Sequence, residues 1–137
     1  MEAVVDSSLA LAWGLPDESS ERADRLLGRL TARDTLWVPA LWWYEIANAL
    51  LMAERRRRIK EADRLALIQL YERLPIHTDL HLTAHTLGQI QALAHAHRLS
   101  AYDAAYLELA SRKSIALATL DHRLLKALQE MGLECAL

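Results

Sequence analysis

The stretch Glu2-Ala3-Val4-Val5-Asp6-Ser7-Ser8 constrains the fold more than any other, because a short apolar run is cut off by a carboxylate. The paired valines favour a pleated strand, and Asp6, Ser7 and Ser8 carry the side-chain oxygens that turn a chain and cap a helix. In a parallel sheet Asp6 then stands at the carboxyl end of its strand, the edge at which open α/β sheets bind ligands.

The same pattern recurs along the chain. Thr35-Leu36-Trp37-Val38-Pro39 reads as a strand bounded by its proline, and Ser114 to Thr119 as another, followed by Leu120-Asp121. Pro75-Ile76-His77-Thr78 reads either as a short strand or as loop, and Leu133 to Leu137 as a last edge strand after the stop at Gly132. Between them the apolar spacing predicts helices over Ser7–Trp13, Ser19 to Arg33, Ala40–Arg55, Glu61–Leu74, Leu82–Arg98, Ser100–Ser111 and from Asp121 to Met131. In the helix over Glu61–Leu74, Leu65, Ile68, Leu70 and Tyr71 are expected to face inward. Strands alternating with helices make an α/β sandwich with right-handed crossovers.

At 137 residues the chain is expected to be a single domain, residues 1–137, burying roughly two-thirds of its unfolded surface. Its one cysteine, Cys135, cannot form an internal disulfide, which fits a reduced compartment. The run Leu9 to Leu15 lacks the basic leader of a signal peptide, and nothing approaches the ~20 apolar residues of a membrane span. A soluble, cytoplasmic protein without a membrane partner is the expectation. A net charge of −2 argues against general adhesion to nucleic acid but leaves a local basic groove open.

The helix over Ala40–Arg55 is apolar on nearly every face and so requires burial, in the domain or against a partner. Glu45 is the only formally charged side chain between Ala40 and Ala53, with Asn48 on the same face a turn later. An unpaired carboxylate in such surroundings is costly. Asp6 and Asp121 follow strands, while Glu45 and Asp103 lie near helix starts, so a shared strand direction brings all four to one edge. Each acid also has a structural alternative. Asp103, three residues after Ser100, completes a near capping box, and Asp6 and Asp121 are placed to cap helices. Clustered carboxylates repel unless a cation lies among them, and hard oxygen ligands suit Mg²⁺ or Mn²⁺. Such a site activates water and polarises a phosphodiester.

Four segments, in order and spanning nearly the whole chain, resemble the PIN domain and within it the VapC-like ribonuclease toxins of bacterial and archaeal toxin–antitoxin pairs. They are Val4-Val5-Asp6-Ser7-Ser8; Val38-Pro39 with Glu45-Ile46-Ala47-Asn48-Ala49-Leu50; Ser100-Ala101-Tyr102-Asp103-Ala104-Ala105-Tyr106-Leu107; and Ala118-Thr119-Leu120-Asp121. The resemblance implies a PIN-like three-layer sandwich, with a central, mainly parallel sheet of four or five strands flanked by helices, and a metal-dependent endoribonuclease. It makes Asp6 and Asp103 the most direct ligands of Mg²⁺ or Mn²⁺, with Glu45 and Asp121 completing the acidic pocket. Thr119 then holds a carboxylate or the site water, and Ser7 and Asn48 support from behind. An RNA substrate, a cognate VapB-like antitoxin and a homodimer are the partners implied. Trp13, Trp37, Trp42 and Trp43 either meet such partners or fill the core of a chain that has no phenylalanine.

Arg55 to Arg58 with Lys60 either guide RNA phosphates or form a solvated helix end. His81 and His85 have the spacing of a helical zinc pair without the glutamate or third ligand that would complete it. His95, His97 and His122 read as surface residues. A receiver-type signalling domain would show paired acids after its first strand and a lysine after its last, and a haloacid-dehalogenase-like phosphatase an aspartate where Ser8 stands; both are disfavoured. A PIN-type RNA-processing nuclease, or a non-catalytic RNA- or protein-binding PIN domain, is the remaining alternative.

Overall fold

Short apolar strands and the helices that follow them fix the architecture of the chain, whose computed structural model describes all 137 residues. Strand β1 (Glu2–Val5) leads into helix α1 (Ser7–Ala12), a 3-10 turn (Pro16–Glu18) and α2 (Glu21–Arg29). Then come β2 (Thr35–Pro39), α3 (Ala40–Arg55), α4 (Glu61–Arg73), β3 (Ile76–Asp79), α5 (Ala84–His97), α6 (Ala101–Lys113), β4 (Ala116–Ala118) and α7 (His122–Met131). The strands form one four-stranded sheet, parallel throughout, in the order β3-β2-β1-β4 and flanked by helices. Val4 is in register with Trp37 on one side and Leu117 on the other.

A parallel sheet covered by helices needs apolar residues on both faces, which is why β1 and β4 do not alternate. Val4, Val5, Leu36, Val38, Leu117 and Ala118 are buried in a single core cluster with Leu9, Leu26, Trp42, Leu107 and Leu124 from the helices. From β1 the chain adds β2 and β3 on one side and then returns to add β4 on the other. That reversal opens a crevice between β1 and β4 at the carboxyl edge, the place where doubly wound sheets receive ligands.

Several boundaries differ from the sequence reading for local reasons. Helix α2 ends at Arg29, because Leu30 turns extended and Asp34 draws Thr31–Asp34 into a turn, accepting from the Thr31 N–H at 2.7 Å. The segment read as strand or loop at 75–78 is strand, shifted to Ile76–Asp79, with Ile76 opposite Leu36 and Asp79 opposite Pro39 in β2. The expected last strand is a single parallel bridge between Cys135 and Leu117, made by backbone bonds of 3.1 Å to Glu134 and from Ala136.

Helix α4 does not bury the face assigned to it. Leu65 and Ile68 are exposed, and only Tyr71 is deeply buried, its hydroxyl donating to the Ala10 carbonyl at 2.8 Å. Helix α3 buries the stripe Trp42, Ile46, Leu50 and Ala53 and leaves Trp43, Tyr44 and Ala47 exposed. Between the two helices runs an apolar groove of about 360 Å³ that includes Trp43, Leu51 and Ile68. The tryptophans therefore divide: Trp13 and Trp42 belong to the core, whereas Trp43 is 40 % exposed.

Within the basic run, Arg58 is committed to Asp17 by paired bonds of 2.8 and 2.7 Å, and Arg55, Arg56 and Arg57 are exposed. His81 and His85 line a pocket with Glu108 and Arg112, and no group of three potential metal-binding side chains forms there. His95 and His122 are exposed, but His97 is partly buried and its ring bonds Glu130 at 2.6 Å. No helix is long and apolar enough to cross a membrane.

Candidate active site

Asp6 leaves β1 at the crevice and turns the chain into α1. Its backbone N–H continues the ladder to Ala118 at 3.2 Å, and its Oδ1 caps α1 by accepting from the Leu9 N–H at 3.1 Å and the Ser8 hydroxyl at 2.8 Å. Thr119, fully buried at the end of β4, donates its hydroxyl to Asp6 Oδ2. The same Thr119 oxygen accepts the Asp121 N–H at 3.0 Å, so one threonine ties the ends of the two strands together. Asp6 is only 3 % exposed. Burial outweighs these three hydrogen bonds, and with the nearby Asp121 charge it holds the Asp6 carboxyl up at about 6.

Glu45 enters from α3, in the helix that follows β2. Burial is the main reason its carboxyl titrates above the usual range, and the Asp103 charge adds to it. The Tyr106 hydroxyl donates to Glu45 Oε1. Desolvation and the neighbouring carboxylates raise the Tyr106 phenol strongly, so it stays protonated as a donor. Ser7 acts on the same pair, favouring the ionised form of Glu45.

Asp103 lies in the first turn of α6. The Ser100 cap accepts the Asp103 N–H at 3.1 Å, which is half of a capping box. Its carboxylate faces Asp121 across the guanidinium of Arg123, whose Nη2 is 3.6 Å from Asp103 Oδ2 and 3.5 Å from Asp121 Oδ2. Asp121 caps α7, accepting the Arg123 N–H at 2.8 Å.

Asp6, Glu45, Asp103 and Asp121 are thus linked in pairs from four separate parts of the chain: Asp6 feels the charge of Asp121, Glu45 that of Asp103, and Arg123 bridges Asp103 and Asp121. The capping alternatives for Asp6 and Asp121 hold at the same time, since each uses one oxygen on its helix. Thr119 contacts Asp6, and Ser7 lies beside the Glu45–Tyr106 pair. Asn48 is exposed on α3, and none of the hydrogen bonds to Glu45 comes from it, although it lies one turn along the same face of the helix. Tyr106 and Arg123 are contributors the sequence left without a role, and Ser8, expected only to turn the chain or cap a helix, also bonds Asp6. Tyr106 carried a signal, since it lies on the face of α6 that also presents Asp103.

The donors are all hard carboxylate oxygens, and the buried Asp6 has no cation of the chain within ion-pair distance, so the set fits a divalent ion by chemistry. As they stand, no three of these acids form a ready-made metal cluster. Asp6 and Glu45 each have a partner of their own, Thr119 and Tyr106, while Asp103 and Asp121 share Arg123.

Comparison with known proteins agrees with the fold. The model of the PIN domain family matches residues 3–129. Ribonuclease VapC3 of Pyrobaculum aerophilum is 34 % identical over 128 residues, covering 90 % of this chain and 92 % of that protein. Among solved structures, Mycobacterium tuberculosis VapC20, described as a sarcin-ricin loop cleaving toxin, superposes with a TM-score of 0.64 at 18 % identity over 91 % of this chain and 94 % of that one. VapBC2 from Rickettsia felis, bound to a DNA fragment from its promoter, gives 0.65 at 10 % identity over 93 % of each chain. Those two likenesses establish the fold, and with the match of family model and sequence across nearly the whole length, the chain belongs to the PIN domain family, on its VapC-like branch.

Proposed function

We propose that this chain is an endoribonuclease of the toxin type, hydrolysing RNA phosphodiester bonds with water at a Mg²⁺ or Mn²⁺ site held by Asp6, Glu45, Asp103 and Asp121. The observation that carries the reading is the pairwise linkage of these four carboxylates at the switch-point edge of the sheet, with Asp6 and Glu45 partly or fully desolvated and unpaired by any cation of the chain. The VapC-like relatives named as ribonucleases support the same activity.

Bound there, the metal supplies Lewis acidity to the phosphate and an acidified water. The protein supplies orientation. Thr119, Ser8 and the Leu9 N–H hold both Asp6 oxygens in fixed directions, and Tyr106 holds one oxygen of Glu45. The raised proton affinity of Glu45 suits it to take a proton from the attacking water, leaving its second oxygen for that purpose. Asp103 and Asp121, partly exposed, form the side of the pocket open to substrate.

The same reading includes a cytoplasmic protein and a cognate antitoxin that covers the pocket, with a homodimer as the working unit. The apolar groove between α3 and α4 supports a protein partner.

The test compares purified wild type with Asp103→Asn and Asp6→Asn on a panel of structured RNAs, with Mg²⁺ or Mn²⁺ and then with chelator. Cleavage is expected to require the metal and both aspartates while the variants remain folded. Retained cleavage in either variant removes that residue from the site. Cleavage that survives the chelator overturns the metal reading. A folded wild type that binds metal yet cuts no RNA points instead to a non-catalytic PIN domain.

A further inference from the structure

Arg123 occupies a place that helix stability does not explain. It lies in the first turn of α7, where a cation faces the positive end of the helix dipole. Its backbone N–H is used by the Asp121 cap, but its side chain is free of that duty and is 69 % exposed. The guanidinium nevertheless stands between Asp103 and Asp121, at 3.6 and 3.5 Å. It is the only cation of the chain within ion-pair distance of any of the four acids.

The manner of the contact matters as much as its place. Arg58 grips Asp17 with paired bonds of 2.8 and 2.7 Å, and Arg112 reaches both Asp79 and Glu108 at 2.7 Å. Arg123 makes no such fork. Its distances exceed those of direct charge-assisted hydrogen bonds, and exposed pairs of this kind are weak. It is held by the charge of the two acids rather than by geometry, so a divalent ion on those acids removes the reason for it to stay. A planar guanidinium released at the mouth of the pocket matches the bidentate oxygens of a phosphate. It also offsets the repulsion that a negatively charged strand meets at an acidic site.

We propose that Arg123 is a transferable clamp, bridging Asp103 and Asp121 in the metal-free protein and turning onto an RNA phosphate once a divalent cation takes its place. The inference rests on the proposed metal-dependent nuclease and assigns it a substrate-binding residue.

Two measurements on wild type, Arg123→Gln and Arg123→Lys test it. The first is Mn²⁺ titration by calorimetry without RNA, with Asp103→Asn as the check that heat reports the acidic pocket. Loss of the competing guanidinium is expected to tighten Mn²⁺ binding by about threefold in Arg123→Gln, with little change in Arg123→Lys. The second is kcat/KM for RNA cleavage at saturating Mn²⁺ over a salt series. Arg123→Gln is expected to lose about tenfold at low salt, and its slope of log(kcat/KM) against log salt to fall by about 0.7, the signature of one lost phosphate contact on a single strand. Arg123→Lys, a point charge without the fork, is expected to keep the slope and recover only part of the rate.

Wild-type Mn²⁺ affinity and salt slope in Arg123→Gln would leave the nuclease reading intact and overturn the clamp. Tighter Mn²⁺ binding with an unchanged slope overturns it as well, since the arginine would then oppose the metal without serving the substrate. A wild type that binds no Mn²⁺ removes the nuclease reading and the clamp together.

Discussion

Asp6 accepts three hydrogen bonds and still holds its proton up to about 6, because burial costs the charged form more than those bonds return. An unfolded aspartate titrates near 4, so the native state binds the extra proton between about pH 4 and 6. A folded-state value raised in this way gives stability that is present in full below the unfolded value and lost as pH rises through the folded one. In chelator, wild type is therefore expected to lose stability relative to Asp6→Asn between pH 4 and 7, by at most about 3 kcal/mol. Denaturant titration of both proteins across that range checks it, and a constant difference would show that the carboxyl is not strained by burial. The acid was legible in the sequence because an apolar strand that stops on a carboxylate places it at the carboxyl edge of a parallel sheet, although the same residue also caps α1. Glu45 was legible for its isolation in an apolar helix. Tyr106 and Arg123 were not, since a tyrosine in Ala104-Ala105-Tyr106-Leu107 reads as core and an arginine after Asp121 reads as surface; both readings are true of their burial, and only the spatial partners reveal more.

Among the elements, α6 has two separate duties: Asp103 and Tyr106 in its first turns face the acidic pocket, and Arg112 in its last turn locks onto β3 at the edge of the sheet. Arg112 bonds Asp79 in β3 and Glu108 one turn back, and both acids are largely buried. Together they raise the guanidinium well above its ordinary range. Arg112→Met keeps the apolar stem and strips the charge, leaving two carboxylates facing one another with little solvent. The expected loss is about 2 kcal/mol, between that of an exposed pair and that of a buried one, read as a lower denaturation midpoint at unchanged slope. Adding Glu108→Gln is expected to restore part of the loss. Element positions followed from the sequence wherever a capping residue or proline marked them, as at Ser100 and Pro39. The face of α4 did not. An apolar stripe shows which side avoids water, but the stripe of Leu65 and Ile68 has nothing in this chain to cover it.

At the scale of the whole molecule, that uncovered stripe and the exposed side of α3 describe one surface. The groove they form holds Trp43, Ala47, Leu51 and Ile68, with Arg64 and Glu72 alongside. Its helical walls suit the apolar face of a partner helix, read at the spacing of successive turns. The sheet order puts the start of α3 at the carboxyl edge, so Glu45 and Trp43 belong to adjoining parts of one helix. A partner seated in the groove is thereby carried toward the acidic pocket, which is how the proposed antitoxin would bind one surface and silence another. Ile68→Glu separates the two. Ile68 is 42 % exposed, so the substitution is expected to change stability by no more than about 0.5 kcal/mol and to leave RNA cleavage at the wild-type rate. Inhibition by the cognate antitoxin, measured as the concentration that halves cleavage, is expected to weaken by about tenfold or more, the cost of setting a carboxylate against an apolar helix face. Inhibition as strong as against wild type would move the antitoxin to another face of the molecule and leave the groove without a partner.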